Sequence, residues 1–392
     1  MFNKDIVTAF EQKETPFFYY DLALLQATLD RALTEANKYG FHIHYALKAN
    51  FNERVLRVIQ ESGIGADCVS GNEVLKAVEV GFAPEKIVFA GVGKADKEIL
   101  AALDHNIFAF NVESVQELHV IGDLAKRAGK VAKIALRINP NVDAQTHKYI
   151  TTGLDENKFG IKTWELSDCL DTIKSFDSLE LIGLHFHVGS QVVDLNVFKS
   201  LCVKVNEFNN WFDERGYRLK VLNVGGGLGV NYTDPDGEPI VDFKRYFEIF
   251  DQFLERKGHQ EVHFELGRAL VSQCGSLISR VLYVKNGIKK NFIILDAGMT
   301  ELMRPALYQA YHKIERLSSE QHNEGGVGML THYDVVGPIC ESTDCFGKEV
   351  ELPESKRGDL IAIRTAGAYG EVMASRYNLR NEIRYVYNDE IA

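Results

Sequence analysis

Between residues 41 and 266 eight short apolar, β-rich runs alternate with seven amphipathic stretches at helical spacing. The β-like runs are FHIHYAL (41–47), IGADCV (64–69), KIVFAG (86–91), IFAFNV (107–112), AKIALRIN (132–139), LELIGLHFHV (179–188), LKVLNVG (219–225) and EVHFEL (261–266). The helical runs lie near 53–61, 71–80, 95–104, 113–128, 163–175, 195–215 and 242–257. A further one, DLALLQATLDRALTEANKYG (21–40), precedes the first strand and ends on Gly40, a residue suited to a helix C-cap. Parallel neighbours in a sheet need a crossover, which alternation supplies. A count of eight predicts a closed (β/α)8 barrel over 22–267.

Beyond residue 268 the pattern changes. ALVSQCGSLISRVLYVK, NFIILDAG, THYDVVGP, DLIAIRTAG and EIRYVYND are β-rich with no long amphipathic helix between them. They predict a second, antiparallel β-domain over 268–392. PFFYYD (16–21) is β-like and stands before the first helix, so residues 1–21 are expected to join that sheet.

Composition narrows the class. A net charge of −11 and the lack of a long Lys/Arg run argue against a nucleic-acid surface. No apolar run is long enough to span a bilayer. The N-terminal residues MFNKDIVTAFEQKETP are mixed and charged, unlike a signal or transit peptide, so a cytoplasmic location is expected. The six cysteines (68, 169, 202, 274, 340 and 345) are scattered without zinc spacing and read as free thiols.

In such a barrel chemistry gathers at the C-terminal ends of the strands. The first strand ends at Lys48 and the second contains Asp67. The fourth ends at Asn111 and the fifth at Asn139. The sixth carries His187, followed by Gly189 and Ser190. The seventh opens into Gly225, Gly226 and Gly227, and the eighth ends at Glu265. Each has a plain structural alternative. Lys48 could cap a strand, the glycines could form a loose turn, and Glu265 could pair with Arg268. His187 could be a core histidine, or form a metal pair with His185, though no third ligand stands nearby. Taken together, they place an amine, a carboxylate, an imidazole and a backbone cradle on one rim. A desolvated lysine is nucleophilic. Glycines without Cβ let N–H groups close on an anion. A carboxylate can keep a ring nitrogen protonated. That set describes a pyridoxal phosphate site.

YALKAN, HVGSQ, GGGLG and ExGR, in this order, resemble the barrel-type pyridoxal phosphate decarboxylases, a family that includes ornithine, arginine and diaminopimelate decarboxylases. The resemblance runs from PFFYYD to the last strands. MRPALY (303–308), CESTD (340–344), GAYG (367–370) and DENKFGI (155–161) are similar to the diaminopimelate branch. It implies a homodimer with shared active sites and decarboxylation of meso-diaminopimelate to L-lysine. It puts the Schiff-base lysine on Lys48 and the ring-stacking histidine on His187. Phosphate contacts fall on Ser190, Gly225–Gly227 and the loop Glu265–Arg268, with Gly267 in it. Asp67 falls among the cofactor-binding residues. Glu265 becomes the partner of the ring nitrogen, where alanine racemases of the same barrel use an arginine. Arg268 and Arg304 would bind substrate carboxylates, Tyr308 and Glu341 the distal end, and Tyr369 both substrate and cofactor. Cys340, from the neighbouring subunit, would protonate the reacting carbon. Three positions depart from the family's usual pattern: Leu266 and Lys148 where proline is common, and Thr343 where glycine is common. The rival readings are a decarboxylase for ornithine, arginine or a carboxylated polyamine such as carboxynorspermidine, a non-catalytic regulatory homologue, and a cofactor-free barrel enzyme.

Overall fold

A computed structural model describes residues 2–142, 158–318 and 329–391. The chain divides into two compact units. One comprises Thr28–Gly229 and Asp242–Leu270, the other Met1–Ala27, Val230–Val241 and Val271–Ala392. Among the described residues no helix is long and apolar enough to cross a membrane.

The first strand of the chain, β1 (Phe17–Tyr20), belongs to the second unit. The barrel strands follow: β2 (Phe41–Ala46), β3 (Gly65–Cys68), β4 (Ile87–Phe89), β5 (Ala109–Val112), β6 (Ala132–Arg137), β7 (Leu179–His185), β8 (Val221–Asn223) and β9 (Glu261–Leu266). They pair in chain order and in parallel, and β9 returns to β2 to close the barrel. The predicted (β/α)8 architecture is therefore present. The helices between strands are delimited by local chemistry. Asn52 accepts hydrogen bonds from the backbone N–H groups of Arg54 and Val55 and so opens the helix Glu53–Glu61. Ser70 caps Gly71–Val80, which stops at Gly81 in a left-handed conformation (φ 104°).

All the barrel strands but β9 are one to four residues shorter than their apolar runs, and two residues stand beyond them. Lys48 is not in β2 but in a single 3-10 turn, Leu47–Ala49. His187 is not on a strand face with His185, because β7 ends at His185.

The second unit is built on β10 (Gly275–Asn286), β11 (Asn291–Leu295), β12 (Ile314–Leu317), β13 (Leu330–Val336), β14 (Cys345–Pro353), β15 (Leu360–Ile363) and β16 (Tyr385–Tyr387). The main path runs β12-β15-β10-β11-β13-β14. β1 joins this sheet, antiparallel to β10 and parallel to β16. The sheet is mainly antiparallel but mixed, since β11 and β13 also run parallel. A helix that the apolar pattern did not announce, Lys4–Glu11, buries Val7 and Phe10 against Phe17, Tyr19 and Ile278. Eight residues offer too little periodicity to stand out, and tertiary packing supplies the stability that length does not.

Candidate active site

Glu265 sits on β9 inside the barrel and is 8 % exposed. Its Oε1 accepts hydrogen bonds from Asn111 Nδ2 at 2.9 Å and Asn223 Nδ2 at 2.7 Å. Its Oε2 lies 2.9 Å from His185 Nε2, which donates to it. Burial alone would push this carboxyl up. His185, by charge and hydrogen bond, together with Lys48, outweighs that and holds it well below the usual carboxylate range. Arg268, which spacing offered as an alternative partner, donates from Nη2 to Ser190 Oγ at 3.0 Å. Three donors favour the charged form of a buried carboxylate and fix its orientation.

Asp67 on β3 is enclosed in the same barrel, and the two carboxylates divide their roles. Burial, and then the charge of Glu265, raises the Asp67 carboxyl well above its ordinary value. Its Oδ1 is buried and takes no hydrogen bond. The two carboxyls are thus pushed in opposite senses, Asp67 toward holding its proton and Glu265 toward losing it.

His187 is held neutral. Burial lowers its pKa well below the ordinary value, and the nearby positive charges of Lys48 and Arg137 act in the same sense. The backbone N–H of Gly226 donates to its Nδ1 at 3.4 Å. Lys48 lies close enough to act electrostatically on Asp67, Glu73, His187 and Glu265. The lysine, imidazole and carboxylate singled out in the sequence are therefore brought together.

The three glycines after β8 are required by space. A Cβ on Gly225 would lie 2.2 Å from the Phe186 carbonyl, and one on Gly226 1.8 Å from that of Glu265. At Gly227 it would meet the Gly189 carbonyl at 2.6 Å. Only glycine lets the backbone pass here.

Sequence reasoning missed several supports. Asn223 and His185 looked like strand residues, yet both point at Glu265. Arg137, at the end of β6, pairs with Glu113 and lies over the Phe159 ring at 4.8 Å. The Gly160 N–H donates to Glu113 Oε2 at 2.9 Å. The available signal was a polar residue in an apolar run at an inward-facing position.

In the second unit Arg304 is buried. Its Nη1 donates to His312 Nε2 at 2.8 Å, and His312 Nδ1 donates to the Arg364 carbonyl at 2.8 Å. The guanidinium lies 4.9 Å from the Tyr232 ring centroid. His312 and Tyr232 were also unforeseen. Cys340 is exposed and its N–H donates to Asn378 Oδ1 at 3.1 Å. The exposed Glu341 accepts from the Tyr377 hydroxyl at 2.8 Å. Tyr308 and Tyr369 are half-buried, and Tyr369 has a left-handed φ of 56°. Of the three departures, Leu266 lies buried in an unbroken β9 and Thr343 donates to Met299 Sδ at 3.8 Å. Lys148 lies outside the described residues, as do residues 155–157 of the DENKFGI run.

The family profile described as "Pyridoxal-dependent decarboxylase, pyridoxal binding domain" matches residues 23–272. The chain is 53% identical to a diaminopimelate decarboxylase of Bacteroides thetaiotaomicron over 386 residues, covering 98% of each chain. This chain belongs to the diaminopimelate decarboxylase family of pyridoxal-dependent decarboxylases. A diaminopimelate decarboxylase from Helicobacter pylori is 41% identical, with 98% of this chain and 92% of that one covered. The crystal structure of diaminopimelate decarboxylase from Helicobacter pylori complexed with L-lysine superposes with a TM-score of 0.90 at 39% identity, covering 98% and 94%. The cofactor of this decarboxylase family is pyridoxal phosphate, and the residues present fit it. Glycines that tolerate no Cβ border the imidazole of His187, and a fixed, ionised carboxylate faces the same interior.

Proposed function

We propose that this chain converts meso-2,6-diaminopimelate to L-lysine and carbon dioxide, the last step of lysine biosynthesis. The observation that supports decarboxylation most directly is Glu265, buried in the barrel and held by hydrogen bonds from Asn111, Asn223 and His185. Pyridoxal phosphate, when bound, supplies the electron sink for the pair left when carbon dioxide departs. Lys48 is assigned to carry it. Glu265 would keep a proton on its ring nitrogen. His187 is assigned to the ring face, where a neutral imidazole adds no charge to oppose the sink. Ser190, Gly225, Gly226, Gly227, Gly267 and Arg268 are assigned to the phosphate, and Asp67 and Tyr369 to the cofactor's surroundings.

Substrate choice rests on charge pairing. Arg268 and Arg304 would bind carboxylates, since a planar guanidinium suits bidentate contact. The two histidine hydrogen bonds that run from Arg304 to the Arg364 carbonyl fix that guanidinium in place. Glu341 would face the distal ammonium, and Tyr308 and Tyr369 would orient the substrate. A substrate without a distal carboxylate would forgo the charge pairing with Arg304, which disfavours ornithine-type amines. Cys340 would protonate the reacting carbon. Its exposure on the single chain, with that of Glu341, fits a homodimer in which each subunit completes its partner's site; the enzyme is assigned to the cytoplasm.

The test is an assay of the separate meso, LL and DD isomers with cofactor present. Equal amounts of lysine and carbon dioxide are expected from the meso form, and none from Lys48→Ala. Turnover of ornithine, arginine or carboxynorspermidine in place of diaminopimelate would overturn the substrate assignment. No turnover of any amino acid would point to a regulatory homologue.

A further inference from the structure

The opposite mouth of the barrel holds a second cluster of ionisable side chains. His42 on β2 and His263 on β9 are register partners. Their ring centroids lie 4.8 Å apart with planes at 30°. Glu261 stands two residues before His263 on the same face, and its Oε2 is 3.2 Å from His263 Nε2. One ligand atom from each of His42, Glu261 and His263 lies within 4.8 Å of the other two.

A chain of hydrogen bonds fixes the tautomer of His263. The Lys86 carbonyl can only accept, so His44 Nδ1, 3.0 Å away, carries the proton. With its proton on Nδ1, a neutral His44 keeps a lone pair on Nε2. That lone pair accepts from His263 Nδ1 at 2.8 Å. His263 Nε2 then faces a carboxylate oxygen of Glu261 at 3.2 Å. A ring nitrogen and a carboxylate oxygen this close are joined by a proton or by a metal ion. A proton would satisfy His263 and Glu261 alone and would leave His42 without a role. A metal ion uses all three.

We propose that His42, Glu261 and His263 bind a divalent transition ion of the zinc type at the N-terminal mouth of the barrel. Two imidazoles and one carboxylate are a recurrent zinc donor set that leaves a position open to water. His44 and the Lys86 carbonyl supply the outer hydrogen bonds that orient a ligating imidazole and raise its basicity. Gly65 makes room for them, since a Cβ there would lie 2.4 Å from both His44 Nδ1 and the Lys86 carbonyl oxygen. The exposed His42 and Glu261 can each move inward to reach bonding distance. The ion would staple β2 to β9, the first and last barrel strands, across the seam where the barrel closes.

The experiment is calorimetric titration of Zn²⁺ into the full chain carrying pyridoxal phosphate, beside His42→Ala and Glu261→Gln. One saturable site is expected, weakened roughly tenfold or more in each variant. Cobalt should give the visible bands of a four-coordinate ion in the native protein and not in His42→Ala. Both variants alter exposed positions, and their unfolding midpoints without metal check that they fold. The proposal is overturned if no saturable zinc site exists, or if both variants bind zinc within about twofold of the native chain.

Discussion

Glu265 and Glu261 stand on the same face of one strand, four residues apart, and each meets a histidine. Their surroundings make them different groups. The side chain of Glu265 is 6% exposed and takes two further amide donors; that of Glu261 is 56% exposed and takes none among the described contacts. Enclosure makes the upper pair a fixed charge that cannot reorganise, which electrostatic catalysis requires. Exposure makes the lower pair a mobile donor set that a solvated ion can reach. Burial, more than residue type, decides which chemistry a histidine–carboxylate pair can serve.

The largest contrast should come from the carboxylates themselves. Glu265→Gln is expected to lower kcat for lysine formation by roughly 10²–10³, the loss typical of removing one preorganised electrostatic group. The loss at Glu261→Gln should be at least tenfold smaller. Equal losses would mean that the two ends of the barrel are not chemically distinct. Next, His185→Gln should lower kcat by about 10- to 100-fold with little change in KM, because His185 positions and charges Glu265 without a substrate contact of its own. A change confined to KM would remove it from that role.

The pH dependence of stability separates the two acids of the upper end. The Asp67 carboxyl is raised in the fold, so folded protein holds a proton that the unfolded chain releases near pH 4. Its contribution is full below that value and is lost as pH rises through the raised folded pKa. Asp67→Asn should flatten this limb by at most about 1.4 kcal/mol per pH unit, read from urea unfolding at stepped pH. Glu265, held low, works in the opposite sense: its contribution is present above the unfolded carboxyl value and is lost as pH falls through the lowered folded pKa. The smallest effect is expected at the lower end, where Gly65→Ala should cost about 1–3 kcal/mol by crowding His44 and Lys86, measured by thermal unfolding.

The barrel was legible because its strands are buried on both faces and read as continuous apolar runs, with helices between them at the right period. Lys48, His187, Glu265 and the glycines were legible because each breaks such a run at its end. Asn111 and Asn139 were visible only as strand ends. Asn223 was not visible at all, because a single amide in LKVLNVG gives no sign of which side chain it will meet. His312 and Arg304 are eight residues apart, and nothing local ties them; the turn that brings them together lies in the second unit's own packing. The lower cluster escaped for the same reason, since His42 and His263 become neighbours only when the barrel closes.

One feature of the second unit bears on synthesis. β1 carries four buried aromatics, Phe17, Phe18, Tyr19 and Tyr20, yet its partners are Gly275–Ile278 and Tyr385–Tyr387. A ribosome adding about 5–20 residues per second needs roughly 20–70 s to reach the second of these partners after β1 has been made. For that interval the nascent chain exposes an aromatic strand with an unpaired edge, while the barrel residues that follow are completed. Such a segment is a ready target for a holdase chaperone, and for mispairing with its copy on a neighbouring ribosome of the same message.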